Sequence, residues 1–327
     1  MTKKTKSTSQ TARKASWKSP ILLAMTALAF FALSGAALAE DCLAQTTWMN
    51  RSVGNWCDNA NWDNASPVSG TNAYINDGGT AQIYTDVCMA EACSLTIGLS
   101  AGQSGTVQVT PYFGDLSVGQ TIFIGEGGTG TLTITQGTVT SATVSIASQT
   151  GSSGSATVDS TFSTLAVSGE VDVGGTTNAA GGTGLLTLTN GGTVTAASVH
   201  AWKSGTLTGN GTVSTTSGMT IDGTLAPSGT LTISGNLSFG ANANMSCNVS
   251  STSVDNAQVS ARALLNGKLS VKVNVTGDFT LLHAGQGRNG TEFQSYSFTY
   301  AGCLSASVSY RDNSDGSSDV ILHAVST

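Results

Sequence analysis

The stretch GGTGTLTITQGTVTSATVSI at 127–146 returns as GGTGLLTLTNGGTVTAASVH at 181–200, with its glycines and alternating apolar positions in the same order and one inserted residue. A shorter unit within it recurs more often: Gly-Thr-Val-Gln-Val at 105–109, Gly-Thr-Leu-Thr-Ile at 130–134, Gly-Ser-Ala-Thr-Val at 154–158 and Gly-Leu-Leu-Thr-Leu at 184–188, at spacings of 25, 24 and 30 residues. Each unit alternates apolar and polar residues over about five positions, the pattern of a strand with one buried face. No unit can bury that face alone, so the repeats must stack. A period near 25 accommodates one solenoid turn of two or three short strands, each pairing in parallel with its counterpart in the next coil.

The expected fold is all-β, a right-handed parallel β-solenoid (β-helix) with capped ends. Leu132, Ile134, Val139, Val144 and Ile146 point inward, over Val107 and Val109 of the coil before and under Ala156 and Val158 of the coil after. Thr131, Thr133, Thr135, Thr140 and Thr143 face water. The pairs Gly127-Gly128, Gly181-Gly182 and Gly191-Gly192 fit corners that need backbone angles closed to other residues. Residues 73–275 provide on the order of eight to ten coils, a rod of roughly 40–50 Å. Composition agrees: Gly reaches 40 of 327 residues, Pro only 4 and charged residues 10%, while Thr, Ser and Val dominate the alternating stretches. The one Ala- and Leu-bearing stretch, 257–265, is too short to change the class.

Outward from the repeats, the N-terminus reads as an export signal over 1–39. Lys3, Lys4, Lys6, Arg13, Lys14 and Lys18 precede the apolar run Ile21 to Leu33, and Ala37-Leu38-Ala39 supplies the small residues of a cleavage site before Glu40. That run is shorter than the roughly 20 residues of a membrane span, so no span is expected after cleavage. Cleavage removes six of 13 basic residues and none of the 19 acidic ones, which leaves a formal charge of −12. Nucleic acid and anionic lipid need clustered Lys and Arg, so neither is expected as a partner.

All six cysteines follow the signal, and export permits disulfides. Cys42, Cys57, Cys88 and Cys93 are expected to pair among themselves, and Cys247 with Cys303, stapling the two ends of the rod. Zinc is not expected, since Cys88 to Cys93 lacks the short Cys pairs or His partners of a structural site. The resulting division is a signal at 1–39, an N-terminal cap with the Trp and Cys cluster at 40–95, Gly/Thr-rich repeats at 96–246 and a more irregular C-terminal stem and cap at 247–327.

The stretch from Gly205 to Met245 resembles the passenger-associated transport repeat of bacterial autotransporters. Gly223-Thr224-Leu225-Ala226-Pro227-Ser228-Gly229 stands where that family has its Gly-Thr-Leu-x-Pro-Gly-like turn, and Leu231-Thr232-Ile233-Ser234-Gly235-Asn236-Leu237 stands at its following strand. Leu265 to Leu269 and Asp278 to Ala284 are similar to the C-terminal stem of such passengers, and Trp48, Trp56 and Asn61-Trp62 ahead of Asn72 to Ile75 to their opening segment. The resemblance covers most of 48–300. It implies a β-helical passenger on the outer surface of a Gram-negative-type bacterium or secreted from it, with the periplasm as the alternative. The sequence departs from the family in having no alternating strands for a translocator barrel after the stem.

Candidate chemistry is sparse. His200, His283 and His323 sit in no nameable motif and read as surface or packing residues, and no nucleophile elbow, zinc-protease motif, phosphate loop or EF-hand is present. Glu126, Glu170 and Asp172 are the candidate carboxylates for coiling to bring together for glycoside hydrolysis. The preferred reading is solvated loop charges, because Lys203 is the only basic residue between Arg51 and Arg262. Trp48, Trp56 and Trp62 are candidates for stacking on glycans, against the alternative that they cover the open core of the first coil. Trp202, beside Lys203, reads as a loop anchor. Asn76-Asp77-Gly78-Gly79 is a turn lacking the further oxygens of a calcium loop.

The functional expectation is an exported, non-enzymatic surface or extracellular structural protein. It is adhesin-like, with repetitive polar faces for a glycan, a surface protein or further copies of itself, and it uses no cofactor. The alternatives are a polysaccharide-active β-helix enzyme of the hydrolase or lyase type and a surface-layer or biofilm-matrix subunit.

Overall fold

The computed structural model describes residues 42–84, 89–110 and 114–327. The expected export signal at 1–39 and Cys88 lie outside the described residues. The chain divides after Glu40, and every described residue belongs to the unit that follows.

That unit is a parallel β-solenoid. Its first face is an eleven-stranded sheet in strict chain order, from Val53–Asn55 through Thr129–Ile134 to Ser295–Tyr300. Nine of those strands, Asp77–Ile83 to Lys268–Val273, fall within 73–275, inside the range expected from the repeat length. A second sheet of nineteen strands forms the other two faces. Gly137–Ser141 pairs with Ser163–Val167 on the second face, and Thr143–Ile146 pairs with Glu170–Val173 on the third. Thr193–Ala201 and Thr212–Ile221 run through both faces, turning the corner at an irregularity between Ala196 and Ser198.

Register builds the core. Val107, Leu132, Ala156, Leu186 and Leu207 stand directly above one another, and Ile97, Ile124, Ile146, Val173 and Ala201 do so across the interior. All are buried. Each fully buried aliphatic side chain contributes about 1.5–3 kcal/mol, and a one-residue slip would turn its whole row outward. Thr131, Thr133, Thr135 and Thr143 are half-buried on the outer face and Thr140 is exposed.

The glycines mark the corners for a reason other than the expected one. Of the three glycine pairs only Gly191 has a left-handed backbone, with φ 82°. The others are needed for close approach: a Cβ on Gly128 would lie 2.4 Å from the Gln103 carbonyl oxygen, and one on Gly182 2.1 Å from that of Ser152. The controlling variable is the distance between coils.

At the N-terminal end Trp48, Trp56 and Trp62 are almost fully buried and meet edge to face, with ring centroids 5.1 and 4.9 Å apart. The Trp62 indole N–H donates to the Trp56 carbonyl at 2.7 Å. The three tryptophans therefore leave no indole face for the expected stacking on a sugar; they close the core of the first coils. Cys42 is bonded to Cys93, and Cys57 is likewise disulfide-bonded.

Parallel pairing continues to Ser295–Tyr300. Beyond it Leu304–Asp312 and Ser318–Ser326 form an antiparallel hairpin, whose second strand also pairs antiparallel with Gly277–Ala284. The expected Cys247–Cys303 bridge is absent: both are free, Cys247 buried and Cys303 exposed. Cys247 stacks on Val271, and Val271 on Phe298. Its level thus lies two strand spacings, about 10 Å, from the last coil, more than a disulfide spans.

Candidate functional site

The coil from Ser153–Asp159 to Thr183–Thr189 is longer than its neighbours, and the extra residues form a small hairpin in which Gly175–Thr176 pairs antiparallel with Ala179–Ala180. It stands on the third face, where register places Phe123, Ser145, Asp172, His200 and Thr220 in one outward column. Glu170 lies two residues before Asp172 and shares its side of the strand. A hollow of about 170 Å³ lies against the hairpin, lined by Phe123, Ser145, Asp172, Thr176 and Thr177 among others.

Asp172 is 3% exposed. Its carboxylate accepts the Trp202 indole N–H at 2.8 Å and the Thr177 hydroxyl at 3.2 Å. Burial pushes its pKa above the ordinary carboxylate value, opposed by the Trp202 hydrogen bond and reinforced by the negative charge of Glu170. His200 stacks on Trp202 with ring centroids 3.9 Å apart, and its Nε2 lies 2.8 Å from an Asp222 oxygen. One donor atom from each of Glu170, Asp172 and His200 lies within 4.8 Å of the others. Gly175 makes room for the indole, since a Cβ there would sit 2.6 Å from the Trp202 ring.

The carboxylates singled out in the sequence thus divide. Glu170 and Asp172 come together. Glu126 lies outside this cluster, at the corner after Thr121–Ile124, accepting a hydrogen bond from the buried Thr96, and burial raises its pKa. His200, expected as a surface or packing residue, packs on Trp202 and also stands beside Glu170 and Asp172. The signal that finds it is the repeat alignment: with the inserted residue counted, His200 takes the place of Ser145, one coil beyond Asp172. Trp202 does anchor a corner, but through the carboxylate of Asp172. His283 and His323 bond to Asp319 and Asp278 in the C-terminal cap. Asn76 is buried and accepts the Leu99 N–H at 2.9 Å, and Asp77 ion-pairs with Arg51 at 3.6 Å, so the Asn-Asp-Gly-Gly turn is occupied by packing.

A second feature is a shallow groove of about 430 Å³ across the first face. The short strand Thr224–Pro227 presents only Ala226 and Pro227 there, so the surface dips between Thr208 and a wall of Ser246, Ser270 and Ser297. Asn248, Asp255, Thr299 and Lys272 also line it, and Lys272 forms no ion pair with a described carboxylate. Hydroxyls, an amide, a carboxylate and one ammonium on a shallow concave surface can hydrogen-bond a polyhydroxylated chain. The Asp255 carboxylate there accepts the backbone N–H groups of Gly229 and Asn248, at 2.7 and 2.8 Å.

No protein-family model matches this chain, and no curated protein is similar to it. Among the described residues no helix is long and apolar enough to cross a membrane.

Proposed function

We propose that this chain is an exported, non-catalytic surface or extracellular scaffold, passenger-like in architecture, which binds glycan along the first face of its solenoid. The observation that carries the reading is the groove at Thr208, Ser246, Ser270, Ser297 and Lys272, an in-register row of hydroxyls with one unpaired ammonium on a rigid sheet. Parallel strands hold such groups at a fixed repeat of about 4.8 Å, so one sugar chain can meet several of them at little entropic cost. Export is supported by the tripartite N-terminal pattern and by the Cys42–Cys93 disulfide.

The second reading is a polysaccharide-active enzyme, favoured by Asp172 with its raised pKa beside Glu170. One experiment separates the two. The purified chain is applied to a glycan array and incubated with the glycans it retains. Retention that falls on Lys272→Ala, with no new reducing ends, is expected. Cleavage that is lost in Glu170→Gln while retention is kept would establish the enzyme instead, and retention unchanged by Lys272→Ala would move the binding surface elsewhere.

A further inference from the structure

We propose that Glu170, Asp172 and His200 form a binding site for a single divalent transition-metal ion, of the zinc or manganese class, that clamps two successive coils at the inserted hairpin. Three observations combine. The donors are mixed, two carboxylates and an imidazole, and their atoms already lie within 4.8 Å of one another. An ion with bonds of about 2.1 Å holds its donors roughly 3.5 Å apart, so closure needs movement of about an ångström, which half-exposed Glu170 can supply.

The donors are also held from behind, as metal ligands are. Asp172 is fixed by Trp202 and Thr177, and Asp222 engages His200 Nε2, which leaves Nδ1 as the coordinating nitrogen. Finally, the two carboxylates lack a Lys or Arg partner among the described residues, and Lys203, the sole basic residue between Arg51 and Arg262, is exposed. Two neighbouring carboxylates, one of them buried, are stabilised by a dication far better than by solvent. The imidazole selects against calcium and magnesium, which take oxygen ligands. The inserted hairpin then has a role: its Thr177 holds Asp172, and Gly175 admits the indole that does the same.

The test is titration of the chelator-treated full chain with zinc chloride by calorimetry, with calcium chloride in parallel. One zinc per chain is expected at this site. Its affinity should fall at least about 100-fold in Glu170→Gln and His200→Ala, and about 10- to 100-fold in Asp222→Asn, whose side chain only orients the ligand. A double variant, His283→Ala with His323→Ala, removes the other histidines and should leave that binding intact. Glu170 is half-exposed, so its variant keeps the fold and decides the matter even where His200→Ala does not fold. Zinc binding unchanged in Glu170→Gln, absence of zinc binding, or calcium binding of equal strength would overturn the proposal. Glycan retention by the first face is independent of each outcome.

Discussion

Gly125 and Ala147 occupy the same corner in successive coils, following Ile124 and Ile146, and both have a left-handed backbone, with φ 72° and 61°. Only one of them tolerates a side chain. A Cβ on Gly125 would lie 2.1 Å from the Ser153 carbonyl oxygen, so Gly125→Ala should cost about 2–3 kcal/mol, combining the left-handed penalty with a displaced coil. Ala147→Gly should be close to neutral, since about 1 kcal/mol of relieved backbone strain offsets the loss of one buried methyl. Denaturant midpoints of the two variants check this pair, and equal shifts would refute the corner geometry. Thiol chemistry separates two other residues. Burial pushes the Cys247 thiol pKa far up, whereas Cys303 lies in an exposed turn. Alkylation of the native protein, mapped by mass spectrometry, should label Cys303 at once and Cys247 only after unfolding.

The C-terminal hairpin is the element most dependent on charge. Arg288, 8% exposed, donates from Nε and Nη2 to both oxygens of Asp312 at 3.0 and 2.9 Å, and its guanidinium lies 5.0 Å from the Tyr310 ring centroid. Burial pulls the pKa of Asp319 upward, but hydrogen bonds from Asn313, His283 and Arg311 together hold it below its ordinary 3.8. Hydrogen bonds from Ser318 and then Arg288 lower that of Asp312. A carboxylate with a depressed folded pKa contributes stability that is complete above its unfolded value and is lost as pH falls through the folded one. Acidification below 3.8 should therefore loosen this element before the coils. Amide exchange, corrected for its intrinsic rate, should rise between pH 6 and pH 3 in Leu304–Asp312 and Ser318–Ser326 but not in Thr129–Ile134. Equal acceleration in all three would contradict it.

For the whole molecule, the two ends are where strand edges would be open to further chains. A parallel solenoid exposes unpaired strand edges and an open core at each end, and both recruit further chains unless covered. The first end is closed by Trp48, Trp56 and Trp62, the other by the antiparallel hairpin and by Tyr296, Phe298 and Tyr300, which stack in a row over Leu269, Val271 and Val273. Deleting residues 302–327 removes the hairpin and bares the side of Gly277–Ala284 that it covers. Light scattering after size exclusion should then show concentration-dependent oligomers larger than any species formed by the full chain. A truncated chain that stayed monomeric would mean that the last coil guards its own edge.

The sequence by itself determined the solenoid. Its strands alternate with a period of two and its coils repeat near 25 residues, so the inward rows could be read directly, as Leu132 between Val107 and Ala156 illustrates. Local pattern suffices there because every coil makes the same contact with the next. Tertiary structure alone decided what happens where the repeat is broken. It turned the tryptophans inward, left Cys247 and Cys303 apart, and brought Glu170, Asp172, His200, Trp202 and Asp222 together from three successive coils. Contacts across coils depend on which residue of one turn stands over which residue of the next. One inserted residue or one added hairpin resets that register without leaving a motif in the chain.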